Sequence, residues 1–282
     1  MFTLEGPDLA VKILDPEADR GNLGSRYCSG GYVWQVEDAR HGALLSGPCF
    51  PDPEPPPFDG QGLPEVFETA LGQDRARVGD DVWVIGVGRV RRESATSPFH
   101  VRDNPTVVER AQWIVERSPL VVTMRSRETF SDFELELERT VSLDGRTLTS
   151  STALANRGSR DLPVRWFAHP FLPWAGPDVL GFSLETTLPE NPGFFTNVRG
   201  AVERRKEHAW ANGCYVVPRT ALGGELGVTQ AHPALGSVRV KCRFPLAWLA
   251  LWGNERTVSF EPFHATVLTP GAESAWAIEY SF

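Results

Sequence analysis

The chain has 282 residues, of which 41% are apolar, 23% charged and 10% aromatic, so it can bury a core without disulfide or metal staples. Its formal net charge of -8 repels phosphate backbones and anionic bilayers, which argues against nucleic-acid and membrane partners. No stretch of about 18 apolar residues is present, and residues 1–10 carry Glu5 and Asp8 in place of a signal-peptide core; a cytoplasmic protein is expected.

Taken in chain order, the first distinctive segment is Gly24-Ser-Arg-Tyr-Cys-Ser-Gly-Gly31, where glycines let backbone approach a ligand beside Arg26. Pro51-Asp-Pro-Glu-Pro-Pro-Pro57 follows, lacking the amide donors of a central strand, and reads as an extended loop or rim inside one domain spanning 1–282. Fewer than about 60 residues precede it, too few for an independent domain. Short β-branched runs at 82–90, 106–115 and 120–123 are broken by Gly, Pro, Asn and Asp. In Phe133-Glu-Leu-Glu-Leu-Glu138 apolar and acidic residues alternate without exception, the period of a half-buried strand. Val238, Val240, Cys242 and Phe244 repeat that period, as do Trp276, Ile278, Tyr280 and Phe282. No long amphipathic helix is evident. Many short antiparallel strands at this length predict an all-β fold, a large antiparallel two-sheet β-sandwich.

Two segments could carry chemistry. A turn at Asn156 leads into a strand that stops at His169, because Pro170 cannot donate to a ladder. An imidazole at a strand end is placed to act as a general acid near neutral pH, or it simply caps a loop. Glu261 lies between an apolar strand and Pro262, beside Phe260 and Phe263. Partial desolvation there raises a carboxylate toward the range of a general base, unless the residue sits exposed on a turn. His41, His100, His208, His232 and His264 show no ligand spacing, and the four cysteines no paired motif, so no metal site and reduced thiols are expected. His264, three residues from Glu261, is a candidate cleft residue. Trp34, Trp166, Trp174 and Trp252 flank these segments; large aromatics mostly fill cores, but Trp174 is taken as a candidate sugar-stacking residue. The run Glu203-Arg-Arg-Lys-Glu207 alternates sign as a solvated face does.

Asn156-x-Gly158, the Leu162-Pro163 pair and His169-Pro170-Phe171 resemble the pattern around the catalytic histidine of the galactose mutarotase (aldose 1-epimerase) superfamily. Glu261-Pro262, Pro270-Gly271 and the final Trp-x-Ile-x-Tyr-x-Phe strand are similar to that family's segment around its catalytic glutamate. The resemblance spans 133–174 and 244–282. It implies a galactose mutarotase-like supersandwich and an isomerase that interconverts α and β anomers. In that reaction Glu261 removes the proton of the anomeric hydroxyl and His169 protonates the ring oxygen. It further implies no cofactor and a small sugar or sugar derivative as the partner.

The family draws a further histidine and a substrate-contacting arginine from its first half. Where a His-Gly pair is expected, this chain has Phe58-Asp-Gly-Gln-Gly-Leu-Pro-Glu-Val-Phe67, so Gln61 and Glu65 become candidate substrate contacts. Arg26, and Arg89 in Gly86-Val-Gly-Arg89, are candidates to hold a sugar hydroxyl or carboxylate; otherwise each is a solvated turn arginine. A carbohydrate-binding or sugar-sensing protein on the same fold is the alternative function. An enzyme requires Glu261 and His169 to face each other across an open cleft, at a separation that accommodates a pyranose. A binding module does not, and a structural protein could fill its own cleft with the proline-rich loop.

Overall fold

A computed structural model describes residues 1–175 and 180–282. Among them the regular elements are antiparallel strands and three single-turn 3-10 helices. The alternating runs become the middle of a ten-stranded sheet. Phe133–Asp144 pairs on one side with Val121–Phe130 and on the other with Thr147–Asn156, which continues to Glu273–Ser281 and Gly236–Arg243. Leu135, Leu137, Val141 and Leu143 turn inward. The intervening glutamates face outward, where Arg125 pairs with Glu138, Arg127 with Glu134 and Arg157 with Glu136. The strict period of two thus fixes which face is buried, because a one-residue slip would exchange the leucines for the glutamates.

A six-stranded sheet packs against the inner face. Its central strand, Thr257–Leu268, lies between Trp248–Gly253 and Leu162–Ala168, with Cys214–Val216 and Glu65–Phe67 at the edges and Leu172–Pro173 as an added partner. Trp166 joins the sheets, its ring centre 5.3 Å from Phe244 and 5.6 Å from Trp276. One buried apolar cluster reaches from Leu4 to Tyr280, drawing on both ends of the chain. Inside it Arg139 and Glu65, both buried, form a 2.6 Å ion pair. Glu65 also accepts from Ser150 Oγ (2.6 Å) and Trp166 Nε1 (3.0 Å), and Arg139 donates to Ser150 and Thr152. Every charge in this group is met by a partner, as burial demands.

Two smaller four-stranded sheets and a two-stranded one, Thr186–Thr187 with Arg219–Thr220, complete the fold, and here the sequence boundaries shift. Residues 82–90 are a hairpin, Asp81–Val84 and Gly88–Arg91, turning at Gly86 with φ +72°, a region glycine enters freely. Residues 106–115 divide between two sheets, Val107–Arg110 in the small one and Ile114–Ser118 at the edge of the large one. Residues 51–57 form exposed turns in which only Pro55 is buried.

Candidate active site

The ladder beside Thr257–Leu268 has a gap, and that gap makes the site. Leu162–Ala168 pairs as far as Phe167 with Phe263, and pairing resumes only at Leu172 with Val258. Between them the chain parts from the central strand over residues 168–171, leaving Ser259 and Glu261 without a strand neighbour on that side. Pro262 falls within the gap, where its missing N–H leaves no ladder bond unmade on that side. Residues 168–171 are held from elsewhere: the His169 amide donates to Pro64 O (2.8 Å) and the Phe171 amide to Gly62 O (2.8 Å).

By the alternation of strands, Ser259, Glu261 and Phe263 share the face away from the core. His169 settles over them. Its Nε2 lies 3.3 Å from Glu261 Oε1, and its Nδ1 lies 2.9 Å from Ser259 Oγ. With Nδ1–H donated to Ser259 Oγ, a neutral ring turns its Nε2 lone pair to the Glu261 carboxyl group, which can donate its proton there. Both residues are nearly fully buried, His169 at 2% and Glu261 at 5% exposure. Burial pushes the Glu261 carboxyl up to about 7, with Arg26 opposing and Glu68 adding to the shift. Burial, reinforced by the positive charge of Arg26, holds the His169 imidazole well below its usual range. The pair is therefore a neutral imidazole beside a carboxyl group that titrates near neutrality.

The expectation that a pyranose would fit between these two residues is not met, because they touch. The chemistry does not need that separation: the anomeric hydroxyl and the ring oxygen are bonded to the same carbon, so groups serving them must be neighbours. Glu261 lies within the long strand rather than at a strand end. The ladder gap supplies the access that a strand end would have supplied.

The pair opens into a cavity of about 420 Å³, within the roughly 300–1,000 Å³ usual for small-molecule sites. Phe167, Phe171, Phe263 and Trp252 wall it, and Tyr215, 56% exposed, stands at its rim in register with Trp252. Pro48, Phe58 and Asp59 from either side of the proline-rich turns line it without filling it. A larger hollow, about 670 Å³, lies on the outer face of the ten-stranded sheet, but its charged side chains Arg125, Arg127 and Arg157 are engaged in ion pairs with glutamates.

Of the residues singled out from sequence, His169, Glu261 and Arg26 come together in this cavity. The other five lie elsewhere. Glu65 is spent in the buried pair with Arg139 behind the sheet, because its side chain points to the core face. Gln61 is buried and donates to Trp34 O (3.3 Å), holding a loop. Arg89 pairs with Glu109 on a small sheet (2.7 Å). Trp174 donates to Asn254 O (2.5 Å) and packs on Trp210. His264 is an odd number of residues from Glu261, so it faces the core beside Trp276. Ser259 and Phe263 were recoverable, since period two places them with Glu261. Glu68, His100, Arg102 and Tyr215 reach the cavity only through tertiary packing.

No protein-family model and no curated protein matches the chain. Solved structures do. A galactose mutarotase related enzyme from Lactobacillus acidophilus superposes with a TM-score of 0.61 over 99% of this chain and 96% of its own, at 12% identity. A galactose mutarotase-like protein from Lactobacillus casei gives 0.58 over 100% and 99%, at 15% identity. The chain has the galactose mutarotase-like fold. A third such protein, from Clostridium acetobutylicum, gives 0.53 over 99% and 93%, at 12% identity. At these identities the likeness establishes the mutarotase-like architecture, and the chemistry of the cavity rests on the residues described above.

Proposed function

We propose that the protein is an aldose 1-epimerase-like mutarotase in which Glu261 and His169 open and reclose a sugar ring. The observation that supports this best is the 3.3 Å contact between the imidazole and a carboxyl group titrating near neutrality, at the floor of a sugar-sized aromatic cavity. Perturbed acid–base pairs of this kind cluster at catalytic sites.

Proton transfer from the Glu261 carboxyl group to His169 across their contact first gives carboxylate and imidazolium. In the opening step Glu261 then takes the proton of the anomeric hydroxyl, His169 delivers its proton to the ring oxygen, and the bond between that oxygen and the anomeric carbon breaks to give an open-chain aldehyde. Rotation about the neighbouring carbon–carbon bond and closure with the roles reversed yield the other anomer. Proton and electron counts return to their starting values, so no cofactor takes part. The active pair carries one proton. Carboxyl with neutral imidazole, the resting form, and carboxylate with imidazolium differ only in which partner holds it, and each half-reaction moves it from one to the other. Ser259 orients the ring, and Trp252 and Tyr215 offer apolar faces for the sugar.

Exchange spectroscopy between anomers of a panel of aldoses tests the reading. Wild type accelerates exchange for at least one sugar, and Glu261→Gln and His169→Asn each lose about 10²-fold or more at retained fold. Saturable sugar binding without acceleration would mean that the fold has been kept for recognition alone.

A further inference from the structure

A second group of polar side chains gathers in the cavity around Phe58. The Arg26 guanidinium carbon lies 4.6 Å from the Phe58 ring centre and that of Arg102 lies 5.3 Å from it. Arg26 is also 4.9 Å from the Tyr27 ring and donates to Phe58 O (3.1 Å). His100 lines the same cavity, and its Nδ1 accepts from the Arg102 amide (3.1 Å), which leaves the proton of a neutral ring on Nε2. The corner therefore presents two guanidiniums and an imidazole N–H, all donors.

Neither arginine has a carboxylate within ion-pair distance among the described residues. Along the large sheet Arg125, Arg127, Arg157 and Arg243 are paired, whereas Arg92 and Arg110 donate to backbone carbonyls instead. Three carboxyl groups line the same cavity: Glu68 pairs with Arg165 (2.8 Å), Asp59 accepts from Cys49 Sγ (3.7 Å), and Glu261, on which the Arg26 charge acts, stands beside His169 (3.3 Å). The Phe58 ring face holds both guanidiniums in place and leaves part of their hydrogen-bonding edges open, Arg26 spending one N–H on Phe58 O.

We propose that this corner receives an anionic group on the substrate, so that the preferred aldose carries a phosphate or carboxylate on its terminal carbon. The inference rests on the epimerase reading of His169 and Glu261. It also adds to that reading: the charge of Arg26 opposes protonation of His169, and an anion seated on Arg26 offsets that field and favours the imidazolium that must protonate the ring oxygen.

The test compares a neutral hexose, its terminal phosphate ester and the corresponding uronate as substrates for wild type and Arg102→Ala, by anomer exchange, with inorganic phosphate as a separate binding probe. Wild type should favour at least one anionic sugar over the neutral one by about tenfold or more in kcat/KM, mostly through KM. In Arg102→Ala that selectivity should collapse, and inorganic phosphate should lose its competitive inhibition. Preference for the ester identifies a phosphate site, and preference for the uronate a carboxylate site. Equal turnover of neutral and anionic sugars by wild type, or a selectivity unmoved by Arg102→Ala, overturns the anion site while leaving the epimerase reading intact. If no sugar is turned over, the catalytic reading fails; the anion site then stands on phosphate binding that Arg102→Ala weakens at least tenfold, and falls without it.

Discussion

At the scale of single residues, burial sets the protonation of Glu261 and His169, and activity should follow it. With the imidazole held low and the carboxyl near 7, kcat/KM should fall as pH rises through about 7, where the pair loses its one proton. It should fall again on the acid side only well below the usual imidazole range, where a second proton arrives. A pH–rate profile checks this, and activity still climbing through about pH 8 contradicts it. Ser259→Ala should free the imidazole to rotate and lower kcat by about tenfold with little change in KM. Glu128 offers a stability counterpart. Fully buried, it accepts from Trp83 Nε1 (2.5 Å) and the Gly86 amide (3.0 Å), and desolvation pushes it up to about 7. A carboxyl raised above its unfolded value binds its proton more tightly when folded. Stability is then fullest below the unfolded pKa and is lost as pH rises through about 7, by on the order of 3 kcal/mol. Glu128→Gln should narrow the gap in Tm between about pH 5 and about pH 8.5; an unchanged gap would assign the pH dependence to other groups.

At the scale of elements, the segment that carries His169 depends on the backbone it leans on. Gly62 has φ +79°, and a Cβ there would meet Val33 O at 2.4 Å and Trp34 O at 2.5 Å. Since its carbonyl also receives the Phe171 amide, Gly62→Ala should cost about 2–4 kcal/mol and, in whatever folds, displace the His169 loop. Thermal unfolding and anomer exchange together report both effects. The same segment shows how far the sequence could be read. The strand stop before His169-Pro170 was legible, because a missing donor is a local property. The ladder gap opposite Ser259 and Glu261 was not, because it depends on where a strand from elsewhere in the chain stops pairing. Residues 82–90 read as one strand for a related reason: apolar composition persists across the turn at Gly86, and only pairing reveals the reversal.

At the scale of the whole molecule, Arg139 and Glu65 tie the two sheets through a buried ion pair beside the strand that leads to His169. Arg139→Met should cost about 3–5 kcal/mol by leaving the Glu65 carboxylate unpartnered, whereas Arg139→Met with Glu65→Gln should recover a large part of that loss. Denaturant midpoints of the single and double variants decide it, and additive losses would mean that the pair is not coupled. Glu65 looked like a substrate contact because its segment does border the site, yet in a strand adjacent residues face opposite ways, and Glu65 faces inward. By itself the sequence determined the strand period, the all-β class, the alternation that buries Leu135 and Leu137, and the placing of His169 at a strand stop, since each follows from neighbouring residues and backbone chemistry. Only the tertiary structure decided that His169 and Glu261 touch, that Arg26 joins them while Gln61, Glu65 and Arg89 do not, and that Arg102 and Tyr215 reach the same cavity. Those contacts join positions far apart in the chain, and long-range pairing and desolvation set them rather than any local preference.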